Sequence, residues 1–297
     1  MNTPLFTGSA VAICTPFTDQ DEINFPKLAE LIDFQIENGT EAIIICGTTG
    51  ESATQSLEEH IETVDFCVRH VAGRVKVIAG TGSNDTRAAV FLSQEAEKSG
   101  ADGLLIVTPY YNKASQRGLI QHYLHIADQV RLPTILYNVP PRTGVCFTAD
   151  TYKTLSKHPL IVATKEASGD FTLLAKTMDI CGDDLHVYSG NDDHTVAMMA
   201  LGAKGLISVA ANIIPREMAD MCKAALAGDF KTAAALQFKY TKLIDALFSE
   251  VNPIPIKTAM NLMGLEVGTL RLPLCDMCPD KLEKLKQTMI ASGVAVR

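Results

Sequence analysis

Apolar and polar positions run along this chain in two rhythms that take turns. Eight short apolar, β-branched runs stand at residues 10–13, 42–46, 75–79, 103–107, 134–137, 161–163, 185–188 and 205–209. Consecutive apolar positions in so short a run predict strands buried on both faces. Between the runs, apolar residues recur at three- and four-residue steps. Leu28, Leu31, Ile32 and Ile36 outline one such helix, which Gly39 stops. Residues 57–71 repeat the pattern, with Glu58 and Glu59 in the first turn and Arg69 and His70 in the last, as the helix dipole favours. A further helical pattern over 88–99 ends at Gly100.

Strands of this kind alternating with helices build a parallel sheet covered by helices. The sheet is either open and doubly wound or closed on itself. Eight units spaced by about 20 to 35 residues predict closure, an α/β fold of the (β/α)8 TIM-barrel class. The turn after the first run reads CTPF at 14–17, without the glycine fingerprint of a dinucleotide fold. Beyond Asn212 only helical patterns remain: one opened by Pro215 and ended by Gly228, a long amphipathic one over 230–248, and two more over 254–263 and 280–292. The expected division is a barrel over residues 1–228 and an all-helical segment over 229–297.

Composition narrows the function classes. A net charge of −8 in 297 residues argues against a nucleic-acid binder, which would carry a basic face. Small molecules are the expected partners. No apolar run approaches the ~20 residues that cross a bilayer, and no basic segment precedes an apolar run at the N-terminus, so neither a membrane span nor a signal peptide is expected. The eight cysteines are scattered, as suits reduced thiols in a cytoplasmic protein. Cys275 and Cys278 form a lone close pair, short of the four ligands of a structural zinc site. His122 and His125, three apart on the fourth helix, read as surface or interface residues, and no metal site is expected.

In barrels of this class the chemistry sits at the C-terminal ends of the strands. Lys165 follows the sixth run, in IVATKEASGD, the outline of a short buried strand with the lysine near its C-terminal end and a turn after it. A buried ammonium is costly unless it is paired or neutral, and a neutral lysine amine attacks carbonyls. Pairing with a carboxylate is the competing explanation. Adjacent Glu166 is poorly placed for it, because neighbours on a strand face opposite ways. After the second run, GTTGES at 47–52 offers glycines for a sharp turn and the amides and hydroxyls of Thr48 and Thr49 as an anion nest, or else an ordinary helix start. The fourth is followed by Tyr110 and Tyr111. The fifth supplies the Tyr137 phenol and the Arg142 guanidinium, with Pro140 and Pro141 stiffening the loop between them. Neither SGND at 189–192 nor SVAAN at 208–212 carries the glycines of a phosphate loop. A lysine nucleophile, a phenol and a carboxylate nest suit Schiff-base chemistry on a keto acid, with the iminium as electron sink and no cofactor.

Eight motifs in order, FTGS at 6–9, GTTGES at 47–52, GTGSN at 80–84, TPYYN at 108–112, YNVPPRTG at 137–144, KEASG at 165–169, NPIPIK at 252–257 and TLRLPL at 269–274, resemble the pyruvate-dependent class I aldolase and N-acetylneuraminate lyase family. The resemblance spans essentially the whole chain. It implies that Lys165 forms an imine with pyruvate, whose carboxylate is held by Thr48 and Thr49. Gly190 and Ile207 would line the substrate. Tyr137, Thr48 and Tyr111 would relay protons, the last from a neighbouring subunit of a homotetramer built as a dimer of dimers. Arg142, a residue the N-acetylneuraminate lyases lack, would meet the carboxylate of aspartate-4-semialdehyde. The implied reaction is condensation to 4-hydroxy-tetrahydrodipicolinate, in lysine and diaminopimelate biosynthesis. A sugar-acid aldolase or lyase using the same imine is the alternative. An allosteric lysine pocket would correspond to Ser52, Ala53, His60, Asn84 and Tyr110. Leu57 and Ala88, however, stand where sensitive relatives carry a histidine and a glutamate, which implies weak or absent lysine feedback.

Overall fold

The computed structural model describes residues 3–297. In it the eight apolar runs are eight parallel strands, paired in chain order and closed into a barrel. Strand β1 (Gly8–Ala12) leads to helix α1 (Phe25–Glu37), β2 (Ala42–Ile45) to α2 (Leu57–Val71), β3 (Lys76–Gly80) to α3 (Thr86–Ser99), and β4 (Gly103–Val107) to α4 (Gln116–Ala127). Strand β5 (Thr134–Asn138) is followed by a short α5 (Pro140–Thr143) and α6 (Ala149–Leu155), and β6 (Ile161–Glu166) by α7 (Phe171–Cys181). Strands β7 (His186–Ser189) and β8 (Gly205–Ser208) precede α8 (Thr195–Ala200) and α9 (Pro215–Leu226), respectively. The chain ends in α10 (Phe230–Leu247), α11 (Ile254–Leu262) and α12 (Pro279–Ala291).

The expected helix signals are in use. Ser56 and Glu59 form a reciprocal capping box at the start of α2, and Gly100 ends α3 in the left-handed conformation. Closure depends on β1 lying against β8, with Gly8 opposite Gly205. A side chain at Gly205 would collide with the Gly8 carbonyl, so this seam needs glycine. Alternation along each strand divides the apolar residues into two layers. Val11, Ile43, Ile45, Leu104 and Leu206 face the helices, while Ala10, Ile44, Ile78, Ile135, Ala163, Tyr188 and Ile207 fill the barrel.

Strand β6 carries the lysine near its C-terminal end, as expected: Lys165 pairs with Tyr137 and Tyr188, and Glu166 with Asn138 and Ser189. Two local expectations change. The stretch with Pro140 and Pro141 is not a loop but one helical turn, because prolines at the first positions of a helix need no N–H. His122 is no surface residue: it lies buried on α4 with its Nδ1 2.9 Å from Thr86 Oγ1, leaving only His125 exposed.

The C-terminal helices are fastened to the catalytic end of the barrel. The expected boundary at 228 falls between α9 and α10, which pack on each other. Lys257 of α11 forms a 2.7 Å ion pair with Glu51 in which both side chains are 1% exposed. The Arg271 amide donates to the second Glu51 oxygen at 3.0 Å. Phe17 is covered by both cations, with Lys257 Nζ 4.0 Å and the Arg271 guanidinium carbon 4.2 Å from the ring centre.

Candidate active site

Lys165 occupies the inward face of β6, two residues beyond the interior residue Ala163. It is 5% exposed, and among the described residues no carboxylate lies within ion-pairing distance of its Nζ. Its recorded neighbour is Tyr137, register partner on β5, whose ring centre is 4.3 Å from Nζ. Gly190 flanks it on the other side: a Cβ there would meet Lys165 Cγ at 3.1 Å and Ala167 Cβ at 2.7 Å. Only glycine leaves the lysine stem this room.

Glu166 points the other way, as strand alternation requires. Its carboxylate accepts from Asn138 Nδ2 at 3.1 Å on both oxygens, from the Tyr152 hydroxyl at 2.8 Å and from the Ser168 amide at 2.8 Å. Three neutral donor groups, making four contacts, satisfy this buried anion. The pairing explanation for Lys165 therefore does not hold for its sequence neighbour.

The GTTGES stretch forms a tight turn in which Gly50 and Glu51 donate back to the carbonyls of Gly47 and Thr48 at 3.1 Å. Its unusual backbone angles fall on residues other than the expected ones. Cys46 and Glu51 take positive φ, of 53° and 55°, while Gly47 and Gly50 do not. Gly50 is needed instead for space, since a Cβ there would press on the Ile13 carbonyl at 3.1 Å. The amides of Thr48 and Thr49 donate to no acceptor among the described residues. Two free N–H groups at a strand end are what an anion nest requires. Thr48 is half-buried and Thr49 is 3% exposed, its Oγ1 accepting from Asn252 Nδ2 at 3.0 Å.

The Arg142 guanidinium is partly free: Nη2 donates to the Asn252 main-chain carbonyl at 3.0 Å. Ile207 lies fully buried inside the barrel on β8. Asp192, in the loop after β7, was not singled out from the sequence. Its buried carboxylate accepts from Ser208 Oγ and from the amides of Val209 and Ala210 at 3.1 and 3.3 Å. Burial pushes this carboxyl above its ordinary range, against those donors and the positive charge of Lys165. It ties the end of β8 beside the lysine.

Other expected residues lie apart. Tyr111 projects from the chain, 89% exposed and with a φ of 73°. Within one chain it does not join Tyr137 and Thr48. Of the allosteric set, Ala53 and Tyr110 are exposed, Ser52 is half-buried, and the half-buried Asn84 accepts from Asn112 through its main-chain oxygen at 2.9 Å. His60 is buried, with Nε2 2.8 Å from the Gly80 carbonyl, and burial lowers its pKa. Cys275 and Cys278 are exposed, and no cluster of three metal-ligating side chains occurs among the described residues. No helix among those residues is long and apolar enough to cross a membrane.

Asn252, Glu51 and Lys257 were the residues least accessible to sequence reasoning. Asn252 and Lys257 belong to the NPIPIK motif, but neither spacing nor periodicity connects that motif to a threonine two hundred positions earlier. The assembled site places a nearly dry primary amine against a tyrosine ring, with an anion nest after β2 and a guanidinium after β5. Such a set forms imines with carboxylate-bearing ketones.

Residues 5–292 match the model of the dihydrodipicolinate synthetase family. A 4-hydroxy-tetrahydrodipicolinate synthase of Thermoanaerobacter sp. (strain X514) is 51% identical over 292 residues, 98% of each chain. Among solved structures, dihydrodipicolinate synthase from Aquifex aeolicus superposes with a TM-score of 0.96 at 44% identity, over 98% of this chain and 100% of that one. The chloride-inhibited dihydrodipicolinate synthase from Acinetobacter baumannii, complexed with pyruvate, gives 0.95 at 43% identity, over 97% and 99%.

Proposed function

Since the chain belongs to the dihydrodipicolinate synthetase family, we propose how its own residues carry the condensation of pyruvate with aspartate-4-semialdehyde to 4-hydroxy-tetrahydrodipicolinate. The observation behind this reading is Lys165, buried on the barrel's inward face without a carboxylate partner and in contact with the Tyr137 ring. Its amine attacks the ketone carbon of pyruvate, and loss of one water leaves an iminium. The pyruvate carboxylate lies in the nest of Thr48 and Thr49. Loss of a methyl proton converts the iminium into an enamine, whose carbon adds to the aldehyde of the second substrate. The resulting alkoxide takes up a proton. Attack of the second substrate's amine on the iminium carbon then closes the ring and releases the Lys165 amine, which restores the enzyme.

Tyr137, whose ring centre lies 4.3 Å from Nζ, relays the protons together with Thr48. Arg142 binds the second carboxylate through the N–H groups it does not spend on Asn252. Gly190 and Ile207 shape the pyruvate position. In this reading residues 1–228 supply the chemistry and residues 229–297 brace it. Tyr111, so exposed in the single chain, completes the relay from a second copy across a dimer interface, in a dimer of dimers. A cytoplasmic location fits the eight cysteines, none of them disulfide-bonded.

Borohydride reduction in the presence of pyruvate, followed by peptide mass spectrometry, tests the assignment. The expected result is a single reduced pyruvate adduct on Lys165 and none in Lys165→Ala. Absence of an adduct from the wild-type protein rejects the imine route.

A further inference from the structure

Asn252 touches two elements of the site at once, although it lies beyond the barrel in the segment before α11. Its side-chain Nδ2 donates to Thr49 Oγ1 at 3.0 Å, and its main-chain carbonyl accepts from Arg142 Nη2 at 3.0 Å. The residue is 5% exposed, and its Oδ1 is buried without a hydrogen-bond partner. A structural asparagine uses both ends of its amide, since a buried acceptor left bare is destabilising. Here only one end is used, and it is aimed at a threonine of the anion nest.

The polarity of that bond matters. A hydroxyl has one proton and two lone pairs. Because Thr49 Oγ1 accepts from the amide, its own proton remains free, and no acceptor among the described residues takes it. The Thr49 amide N–H is uncommitted as well. Both donors of Thr49 are thereby reserved for an incoming anion. The Asn252 main-chain carbonyl in turn holds the guanidinium that meets the second carboxylate.

We propose that Asn252 is a positioning residue, which orients the Thr49 hydroxyl as a donor to the pyruvate carboxylate and anchors Arg142 beside it. This rests on the imine reading of Lys165. The C-terminal segment thus sets substrate affinity as well as bracing the barrel. Two substitutions separate the polarity argument from simple packing. In Asn252→Ala the Thr49 hydroxyl loses its guide. In Asn252→Asp the near-isosteric carboxylate only accepts, so it captures the Thr49 proton and opposes the substrate's charge.

Initial rates against pyruvate, with the second substrate saturating, should show KM raised roughly tenfold in Asn252→Ala, the effect of about 1.4 kcal/mol of lost binding. Asn252→Asp should be worse than Asn252→Ala, despite its closer shape. In a Thr49→Ala background, Asn252→Ala should leave the pyruvate KM within about twofold, because the group it orients is gone. KM does not depend on how much enzyme is folded, so a loss of stability does not mimic this pattern. A pyruvate KM in Asn252→Asp equal to wild type, or an Asn252→Ala effect that persists undiminished in Thr49→Ala, overturns the proposal. The borohydride adduct is scored on the same preparations. Its absence from wild type overturns the imine reading beneath, whereas its presence with an unchanged KM overturns only the role of Asn252.

Discussion

Replacing Lys257 by methionine would remove the charge from the buried pair with Glu51 while keeping most of the side-chain length. In the folded protein the two groups are 2.7 Å apart and each is 1% exposed. The Glu51 carboxylate would keep one donor, the Arg271 amide at 3.0 Å, and lose its counter-ion. Breaking one side of a buried pair costs about 3 to 5 kcal/mol, because the remaining charge stays desolvated. With one oxygen still bonded, the lower end applies, about 3 kcal/mol. Loss of the cation over Phe17 adds to this. Unfolding free energies from urea titration of wild type, Lys257→Met, Glu51→Gln and the double variant measure it. The double variant should be less destabilised than the sum of the single changes by about 2 kcal/mol, since it leaves no orphaned charge. Glu51→Gln carries a further signature. Burial already draws Lys257 below the ordinary lysine range, and Glu51 is the group that holds it up. Without Glu51 the folded state binds the proton less tightly than the unfolded state, so stability should rise as pH climbs toward the ordinary lysine pKa. Additive single changes, or a Lys257→Met cost below about 1 kcal/mol, would refute the view that this pair fastens the C-terminal helices to the anion nest.

Four other outcomes follow from the same structure. Tyr137→Phe should lower kcat by about 100-fold or more while the Lys165 adduct still forms, because it removes a proton relay and not the nucleophile; turnover and borohydride trapping on one preparation check this. Arg142→Ala should raise the KM for aspartate-4-semialdehyde by tenfold or more and leave that for pyruvate near wild type, reflecting a lost charge-assisted bond of about 1.5 to 3 kcal/mol; equal effects on both substrates would contradict the assignment. Burial pulls His122 down to about 4, so below the ordinary histidine pKa the unfolded state binds more protons, and up to about 3 kcal/mol of stability is lost as pH falls toward 4. His122→Gln should flatten that acid limb in denaturant titrations at pH 7 and pH 5. Lysine should inhibit turnover weakly or not at all, since Leu57 and Ala88 supply no charged partner for it; half-inhibition well below the millimolar range would contradict this.

Much of the site was legible because its parts are local. Lys165 stood out as a charged residue at the end of an apolar run, and strand alternation alone separated it from Glu166, whose three neutral donors now explain that carboxylate. Thr48 and Thr49 were visible as a turn with free amides. The same local reasoning erred where neighbours decide. Gly47 and Gly50 looked like the hinge, yet the positive φ angles went to Cys46 and Glu51, the second of which is held by its buried pair with Lys257. His122 looked superficial because its periodicity did not reveal that Thr86 and Tyr123 would enclose it.

The order of strands, the barrel, the buried lysine and the set of polar residues at the strand ends were determined by the sequence itself, since the period of apolar residues dictates which faces are buried and glycines and prolines mark where elements stop. Which of those polar groups meet was decided only by the tertiary structure. Asn252 reaches Thr49 across 203 positions, and Lys257 reaches Glu51 across 206. No local rhythm encodes such contacts. They arise because closing the barrel brings every strand end to one rim, and the C-terminal helices, packed along its side, deliver their polar residues to that rim.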